Sequence, residues 1–337
     1  MATGRLAFIL FCAENVAAKS VKQNLPFVFS CIIPEKLQCL LTAKKSKNFK
    51  TMSDVIRFRT LKTEDIPFAM KLKRQAGWNQ LEEDWEFLIS EGGNANLLAA
   101  YNGEKAGTAT TINYQKRFSW IGMVLVDPDY RGNGIGRALL TKSIEYAATM
   151  GTVRLDATPQ GKNLYDTMGF KTECELARFE RSEIADKIPE PNSDCRLMTN
   201  NDLNSLLEKD DQIFGANRKP VLNYFYKNSP GYAFVSLNDE GGISGYCFGR
   251  SGSEFEQIGP IVAETVESAG DVLVSAMENC KDKKIITDAF TENQKWIDFL
   301  EKAGFSVQRP FFRMFRGKLE YPGKREFQFA AAAPEFG

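Results

Sequence analysis

The chain alternates short apolar segments with amphipathic ones, beginning at Ile56-Arg57-Phe58-Arg59-Thr60-Leu61, where apolar and polar residues take turns as on a half-buried strand. Thr63-Glu64-Asp65 then offers an N-cap and an acidic first turn to a helix through Ala69 and Leu72. A second helix is predicted over Leu81 to Glu91, followed by strands at Asn96 to Tyr101, Ala106 to Tyr114 and Phe118 to Val126. Beyond a loop the pattern gives a helix from Gly134 to Met150, a strand from Val153 to Ala157, a short helix near Lys162 to Met168 and a strand from Phe170 to Phe179. The result is an α+β or mixed α/β unit of about 130 residues, a normal domain size.

The same order then recurs. Arg59-Thr60-Leu61-Lys62-Thr63-Glu64-Asp65 aligns with Arg196-Leu197-Met198-Thr199-Asn200-Asn201-Asp202, 137 positions on. Leu164-Tyr165-Asp166-Thr167-Met168-Gly169-Phe170 resembles Phe299-Leu300-Glu301-Lys302-Ala303-Gly304-Phe305, 135 positions on. The chain reads as a tandem duplication, with a corresponding strand at Gln257 to Ala263 and helix at Ala269 to Cys280. The expected organisation is an extension over 1–51, a first unit over 55–184, a linker over 185–194 that holds Pro189 and Pro191, a second unit over 195–318 and a tail over 319–337.

Composition narrows the chemistry. A length of 337 residues suits two domains, since single cores stop growing near ~250 residues. The 43 basic residues cancel 43 acidic ones, which argues against nucleic acid or an anionic membrane as the main partner. Seven cysteines without a CxxC pair suggest buried thiols. The absence of histidine excludes Ser-His-Asp and Cys-His catalysis and the common His-bearing zinc sites, so no metal is expected. The first fifty residues are basic and acid-poor, with only Glu14 and Glu35 acidic, and their apolar run Leu6 to Ala13 is too short to span a bilayer, which needs ~20 residues. They fit a mitochondrial presequence, a region without fixed structure, or an extension ahead of an alternative start at Met52. The expected location is cytoplasmic, or mitochondrial if 1–51 is a presequence; no feature sets the oligomeric state, and a monomer is compatible with the sequence.

The chemistry-bearing segment runs from the apolar strand Gly122 to Val126, through Asp127-Pro128-Asp129-Tyr130, into Arg131-Gly132-Asn133-Gly134-Ile135-Gly136-Arg137. Alternating glycines let backbone N–H groups converge at a helix N-terminus, which can hold a pyrophosphate with little side-chain help. Arg131 and Arg137 flank the curve as charge-assisted donors. A Rossmann loop is also glycine-rich, but it follows the first strand and is paired with an acidic residue on a strand tip ~20 residues on; Asp156 lies near that distance, inside its strand.

Here the sequence resembles the GNAT acetyltransferase superfamily, whose phosphate signature is Arg or Gln, two residues, Gly, one residue, then Gly or Ala. Arg131, Gly134 and Gly136 fill it, and Leu164-Tyr165 to Gly169-Phe170 looks like the family's late helix-to-strand motif. The resemblance implies acetyl-CoA or another acyl-CoA as co-substrate, with Met123, Val124 and Val126 beside the pantetheine arm and Gly132, Asn133 and Ile135 completing the phosphate loop. Thr158, before Gly161, stands where many relatives carry Asn. It also implies Tyr165 as the acid that protonates the leaving thiolate, against the alternative of a core aromatic. Asp156 is the most suggestive carboxylate for a base, because an acid in an apolar strand needs a partner or a purpose, and a structural acid capping the next turn is the competing reading.

The second unit lacks the loop: about three residues are missing, and Glu264-Thr265-Val266-Glu267 place acid where phosphate needs amides. Asp211 to Arg218, Gly245-Tyr246, Ile258-Gly259-Pro260 and Arg313-Met314 resemble the degenerate C-terminal domain of a tandem acetyltransferase subgroup. Such a domain would close over the acceptor, with Asp211, Arg218 or Glu256 orienting an amine, or else Asp211 and Arg218 pair with each other as a structural salt bridge. The expected fold is two tandem acyl-CoA N-acyltransferase folds, each a mostly antiparallel twisted sheet flanked by helices. The expected activity is acyl transfer to the primary amine of a small molecule, in a ternary complex. A noncatalytic acyl-CoA-binding protein and a protein lysine or N-terminal acetyltransferase are the alternatives.

Overall fold

A computed structural model of the chain describes residues 55–147, 151–181, 190, 195–280 and 284–337. The expected extension, and the expected linker apart from Glu190, lie outside these residues, as do positions 148–150 of the helix expected to end at Met150. The first half runs β1 (Ile56–Thr60), α1 (Ile66–Gln75), α2 (Glu82–Gly92), β2 (Leu97–Tyr101), β3 (Glu104–Tyr114), β4 (Phe118–Val126), α3 (Ile135–Ala147), β5 (Thr152–Ala157), α4 (Pro159–Thr167) and β6 (Lys171–Arg181). The second half repeats it as β7 (Cys195–Leu197), α5 (Asn200–Phe214), α6 (Lys219–Asn228), β8 (Phe234–Leu237), β9 (Ile243–Arg250), β10 (Glu256–Ala263), α7 (Val266–Met277), β11 (Ile285–Phe290), α8 (Gln294–Lys302) and β12 (Ser306–Arg316), and adds β13 (Gln328–Ala330).

The duplication extends to side-chain contacts. Arg59 grips the buried Asp65 through two hydrogen bonds of 2.6 and 2.7 Å, and Arg196 grips Asp202 at 2.6 and 3.0 Å. Burial alone would raise the Asp65 carboxyl, but hydrogen bonds from Arg59 and Lys105 outweigh it and hold the group well below the usual carboxylate range. In both halves the acid also accepts a backbone N–H three residues earlier, from Lys62 and from Thr199, which fixes the turn into the following helix.

The strands form one sheet in the order β1-β2-β3-β4-β5-β12-β6-β11-β13-β10-β9-β8-β7. Pairing is antiparallel except where β4 meets β5 and β10 meets β11. The exchange at the centre was not expected from two self-contained units. β12, from the second half, lies between β5 and β6 and pairs with both, while β6 pairs on its far side with β11. Each half therefore completes the other's sheet.

Two buried, bidentate ion pairs fix this exchange. Arg313 on β12 donates to both oxygens of Asp156 on β5 at 2.9 Å, and Arg178 on β6 donates to both oxygens of Asp288 on β11 at 2.8 Å. Each arginine stands opposite its aspartate in the strand register, and all four side chains are at most 6% exposed. Sliding β12 by one residue would turn Arg313 to the other face and strand two charges.

The expected tail over 319–337 needs correction. Phe329 to Ala333 and Phe336 are buried, β13 pairs with both β10 and β11, and an apolar cluster reaching from Trp85 and Trp120 to Phe214 and Tyr246 includes Phe336. Trp296 Nε1 donates to the Phe329 carbonyl at 3.0 Å, Trp120 Nε1 to Pro334 at 2.9 Å and the Tyr114 hydroxyl to Phe336 at 2.6 Å. Deleting 328–337 exposes the sites of two buried phenylalanines, worth ~1.5–3 kcal/mol each. The expected fall in melting temperature, on the order of 10 °C by calorimetry, would be absent if the segment were undocked.

Candidate active site

The site begins where β4 leaves β5. Parallel pairing joins Phe118, Ser119 and Trp120 to Thr152, Val153 and Arg154, and then stops. On the other edge of β4 the register with β3 shifts between Thr108 and Thr110, and Met123 takes a left-handed φ of 49°. This is a bulge, held by the Thr108 hydroxyl donating to the Met123 carbonyl at 3.0 Å, and it bends β4 away from β5. Backbone groups of Ile121 to Val124 are left along the gap. Gly122 is required there, because a Cβ would lie 2.9 Å from Glu335 Cα.

The loop after β4 has the geometry its glycines imply. Gly132 and Gly134 have φ of 81° and 78°, with open space where a side chain would stand. The first-turn amides of α3 have no intrahelical carbonyl to reach, so they converge on that open face. Ile135 anchors the helix by full burial beside Leu139 and Ala99. Asn133 donates to the Tyr130 carbonyl at 3.0 Å and closes the turn. Arg131 and Arg137 are exposed, Arg131 near the Val126 carbonyl at 3.3 Å and Arg137 on Thr167 at 2.9 Å. Val126 lies beneath the loop, 3.6 Å from where a Gly136 Cβ would be. Glycine backbone, helix amides and two arginines suit a pyrophosphate.

Tyr165 comes from α4. Thr158 caps that helix by accepting the Gly161 N–H at 3.3 Å, and Gly161 leaves room for the tyrosine ring, whose Cε2 would lie 3.0 Å from an added Cβ. Burial pushes the phenol up to about 12, so it stays protonated at neutral pH. Asp156 lies on the adjacent strand, clamped by Arg313. Its partner is thus a guanidinium of the other half rather than the next turn.

These groups meet in a cavity of about 150 Å³ lined by Met123, Val124, Asp156, Thr158 and Tyr165 on the first half's side. The opposite wall is polar and comes largely from elsewhere. Glu335 Oε1 accepts from Gln80 at 2.8 Å and from Arg250 at 2.7 Å. Arg250 also donates to Gln257 Oε1 at 3.2 Å, and Gln257 donates at 3.0 Å to Asp288, the partner of Arg178. Asn79 ties the α1–α2 loop to the second half through the backbone of Glu254 and Phe255. No local motif in the sequence marks this wall. The available signals were charged or amide residues inside apolar strands, at Arg178, Arg250 and Gln257, and the apolar run at Phe329 to Ala333.

The three residues expected to orient the amine do not line this cavity. Asp211 bonds Arg117 of the first half. Arg218 is buried on Asp210 at 2.8 Å and over the Phe214 ring, so its ion-pair partner is Asp210 rather than Asp211. Glu256 is fully buried on β10 and bonds the Tyr232 hydroxyl. Each satisfies a structural partner.

The second half cannot repeat the first site. β10 passes to α7 through Glu264 and Thr265 alone, and Thr265 caps the helix with its own hydroxyl, 3.1 Å from Ser268 N. The gap between β10 and β11 is filled by β13 and its continuation, where a Gly259 Cβ would meet the Ala331 carbonyl at 2.2 Å.

Comparison with known proteins matches each half to the same family. The family described as "Acetyltransferase (GNAT) family" matches residues 60–170, and an "Acetyltransferase (GNAT) domain" matches residues 206–330. The chain is 26% identical to holothin acyltransferase of Pseudoalteromonas sp. over 71% of its length and 80% of that protein's. It is 23% identical to the uncharacterized N-acetyltransferase YitH of Bacillus subtilis, over 73% and 86%. In fold it is similar to a solved chain from Pyrococcus horikoshii at a TM-score of 0.70 (22% identity, 86% of this chain and 98% of that one). It is similar also to a tandem GNAT protein from the clavulanic acid biosynthesis pathway, at 0.59 (13% identity, 78% and 98%).

Arg313→Leu should leave Asp156 buried without its cation and cost about 3–5 kcal/mol in denaturant unfolding. Replacing both Asp156 and Arg313 with leucine should recover most of that loss; an unfolding free energy unchanged in the single variant would contradict the clamp.

Proposed function

The chain belongs to the GNAT family of acetyltransferases, with one such domain in each half, and from that premise we propose that its first half acylates the primary amine of a small molecule from acyl-CoA. The observation that carries this reading is the gap between β4 and β5, open at Met123 and Val124, lying between the Gly132–Gly136 loop and Tyr165. Loop amides, Arg131 and Arg137 hold the co-substrate's pyrophosphate, and the β4 backbone aligns its pantetheine arm. Bound there, the co-substrate supplies an activated acyl carbonyl.

The acceptor nitrogen attacks that carbonyl directly, so a C–N bond forms as the C–S bond breaks. Tyr165 gives the departing sulfur a proton. Its raised pKa keeps the phenol protonated until the C–S bond breaks, and because a thiol, with an ordinary pKa of about 8.5, is the stronger acid, the transfer is completed as a proton from the attacking nitrogen replaces the one Tyr165 gives up. Asp156 keeps both carboxylate oxygens on Arg313 and acts by positioning that pair beside the reacting centre rather than as the proton acceptor. A small acceptor fits a cavity of about 150 Å³ walled by the second half and by residues 334–335.

Tyr165→Phe should lower kcat by ~10²–10⁴-fold while calorimetric binding of acetyl-CoA stays unchanged; full turnover in this variant would remove the acid assignment. Gly134→Val forces a β-branched residue into a left-handed backbone at the loop. It should abolish acetyl-CoA binding, and normal affinity would place the co-substrate elsewhere.

A further inference from the structure

The polar wall of the cavity carries unequal charge along its length. At one end Asp84 and Glu335 share a single cation, Arg250, through bonds of 2.5 and 2.7 Å. Asp84 is further satisfied by the Tyr224 hydroxyl at 2.9 Å and the Leu81 N–H at 2.7 Å, so the surplus negative charge falls on Glu335. Burial, with Asp84 close by, raises the Glu335 carboxyl against the lowering influence of Arg250. Along the wall the hydrogen bonds run from Arg250 through Gln257 and Asp288 to Arg178. At that far end two guanidiniums, Arg178 and Arg309, face one carboxylate, Asp288, which Arg178 already holds in bidentate fashion. Arg309 lines the cavity, rests on the Phe311 ring at 4.9 Å, and its Nε has no hydrogen-bond partner among the described residues. The remaining charged pair on the cavity, Asp156 with Arg313, is neutral overall.

We propose that the acceptor is a compact amino acid-like zwitterion, with its ammonium at Glu335 and its carboxylate at Arg309. The proposal rests on the reading of the first half as an N-acyltransferase and names its substrate class. A substrate of that charge pattern neutralises both ends of the wall, whereas a plain amine leaves Arg309 without an anion. Glu335 is also placed to act as the base. One ammonium proton passes to it and on to solvent as the nitrogen attacks. The second replaces the proton that Tyr165 gives to the sulfur, so the products are amide, thiol and one released proton. The group contributed by residues 328–337 is thereby part of the site.

The test uses the full chain with acetyl-CoA and matched compact acceptors: alanine, its methyl ester and ethylamine, with serine and ethanolamine as a second pair, read by thiol release. The amino acids should exceed their carboxylate-free partners in kcat/KM by about ten- to a hundred-fold, as a charge-assisted contact gives. Arg309→Met should bring that ratio close to one, and Arg309→Lys should restore part of it. Glu335→Gln should lower kcat/KM and remove the acid limb of its pH profile, which in the parent rises as Glu335, its carboxyl raised by burial, loses its proton. The same pairs are titrated calorimetrically into protein saturated with CoA. Transfer to both members of each pair without preference would overturn the zwitterion proposal and leave the acyltransferase reading intact. Preferential binding of the amino acids without thiol release would uphold the recognition and overturn the transfer reading. A ratio unmoved by Arg309→Met, or an unchanged pH profile in Glu335→Gln, would remove those residues from the roles given.

Discussion

Asp156 bound to Arg313, and Asp288 bound to Arg178, form the constraint on which the rest of the molecule depends. Each pair joins the fifth strand of one half to the last strand of the other, and each is bidentate and buried. A buried ion pair adds little net stability over an apolar substitute, but losing one partner is costly, so its effect is to make one arrangement far better than its neighbours. The favoured arrangement here exchanges β6 and β12 between the halves. Once those strands are exchanged, neither half can move away without leaving charges unpaired in the interior, and the seam between the halves becomes a rigid place to build a site.

That rigidity accounts for the division of labour. Two copies of one architecture begin with the same opportunity, a gap between their fourth and fifth strands. In the first copy a bulge at Met123 bends β4 away from β5 and leaves the gap open beside a glycine-rich turn. In the second, β13 occupies the gap and a two-residue connection replaces the turn. The second copy then serves as wall: Arg250 and Gln257 stand on its strands and line the cavity with the first copy's Tyr165, and Asp288 holds Gln257 from behind. The chain segment that fills the second gap continues into the first site and delivers Glu335, so the loss of one site and the completion of the other are consequences of the same ten residues.

Much of the first half was legible because its signals are local. Alternation marked β1, the capping acids marked the helix after Asp65, and the Gly132–Gly136 spacing marked a tight turn whose positive φ values at Gly132 and Gly134 favour glycine. The duplication was legible too, and the structure adds that its aligned residues make the same grip, Arg59 on Asp65 and Arg196 on Asp202. What could not be read was partnership at long range. Asp156 announced by its burial in an apolar strand that it had a partner, but Arg313 lies 157 residues away, and only the strand exchange brings them opposite. Asp211 and Arg218 looked like one pair; helix phase instead sends Asp211 outward to Arg117 and turns its neighbour Asp210 inward to Arg218. Residues 319–337 looked like a tail because a run of alanines has no period of its own, and its burial depends on a gap formed by strands about 40 to 70 residues earlier.

The central claim is that one half holds the acyl donor and the other completes the acceptor pocket. Calorimetric titration of the intact chain with acetyl-CoA tests it most directly. A stoichiometry of one per chain is the predicted result, and two equivalents bound per chain would contradict the account.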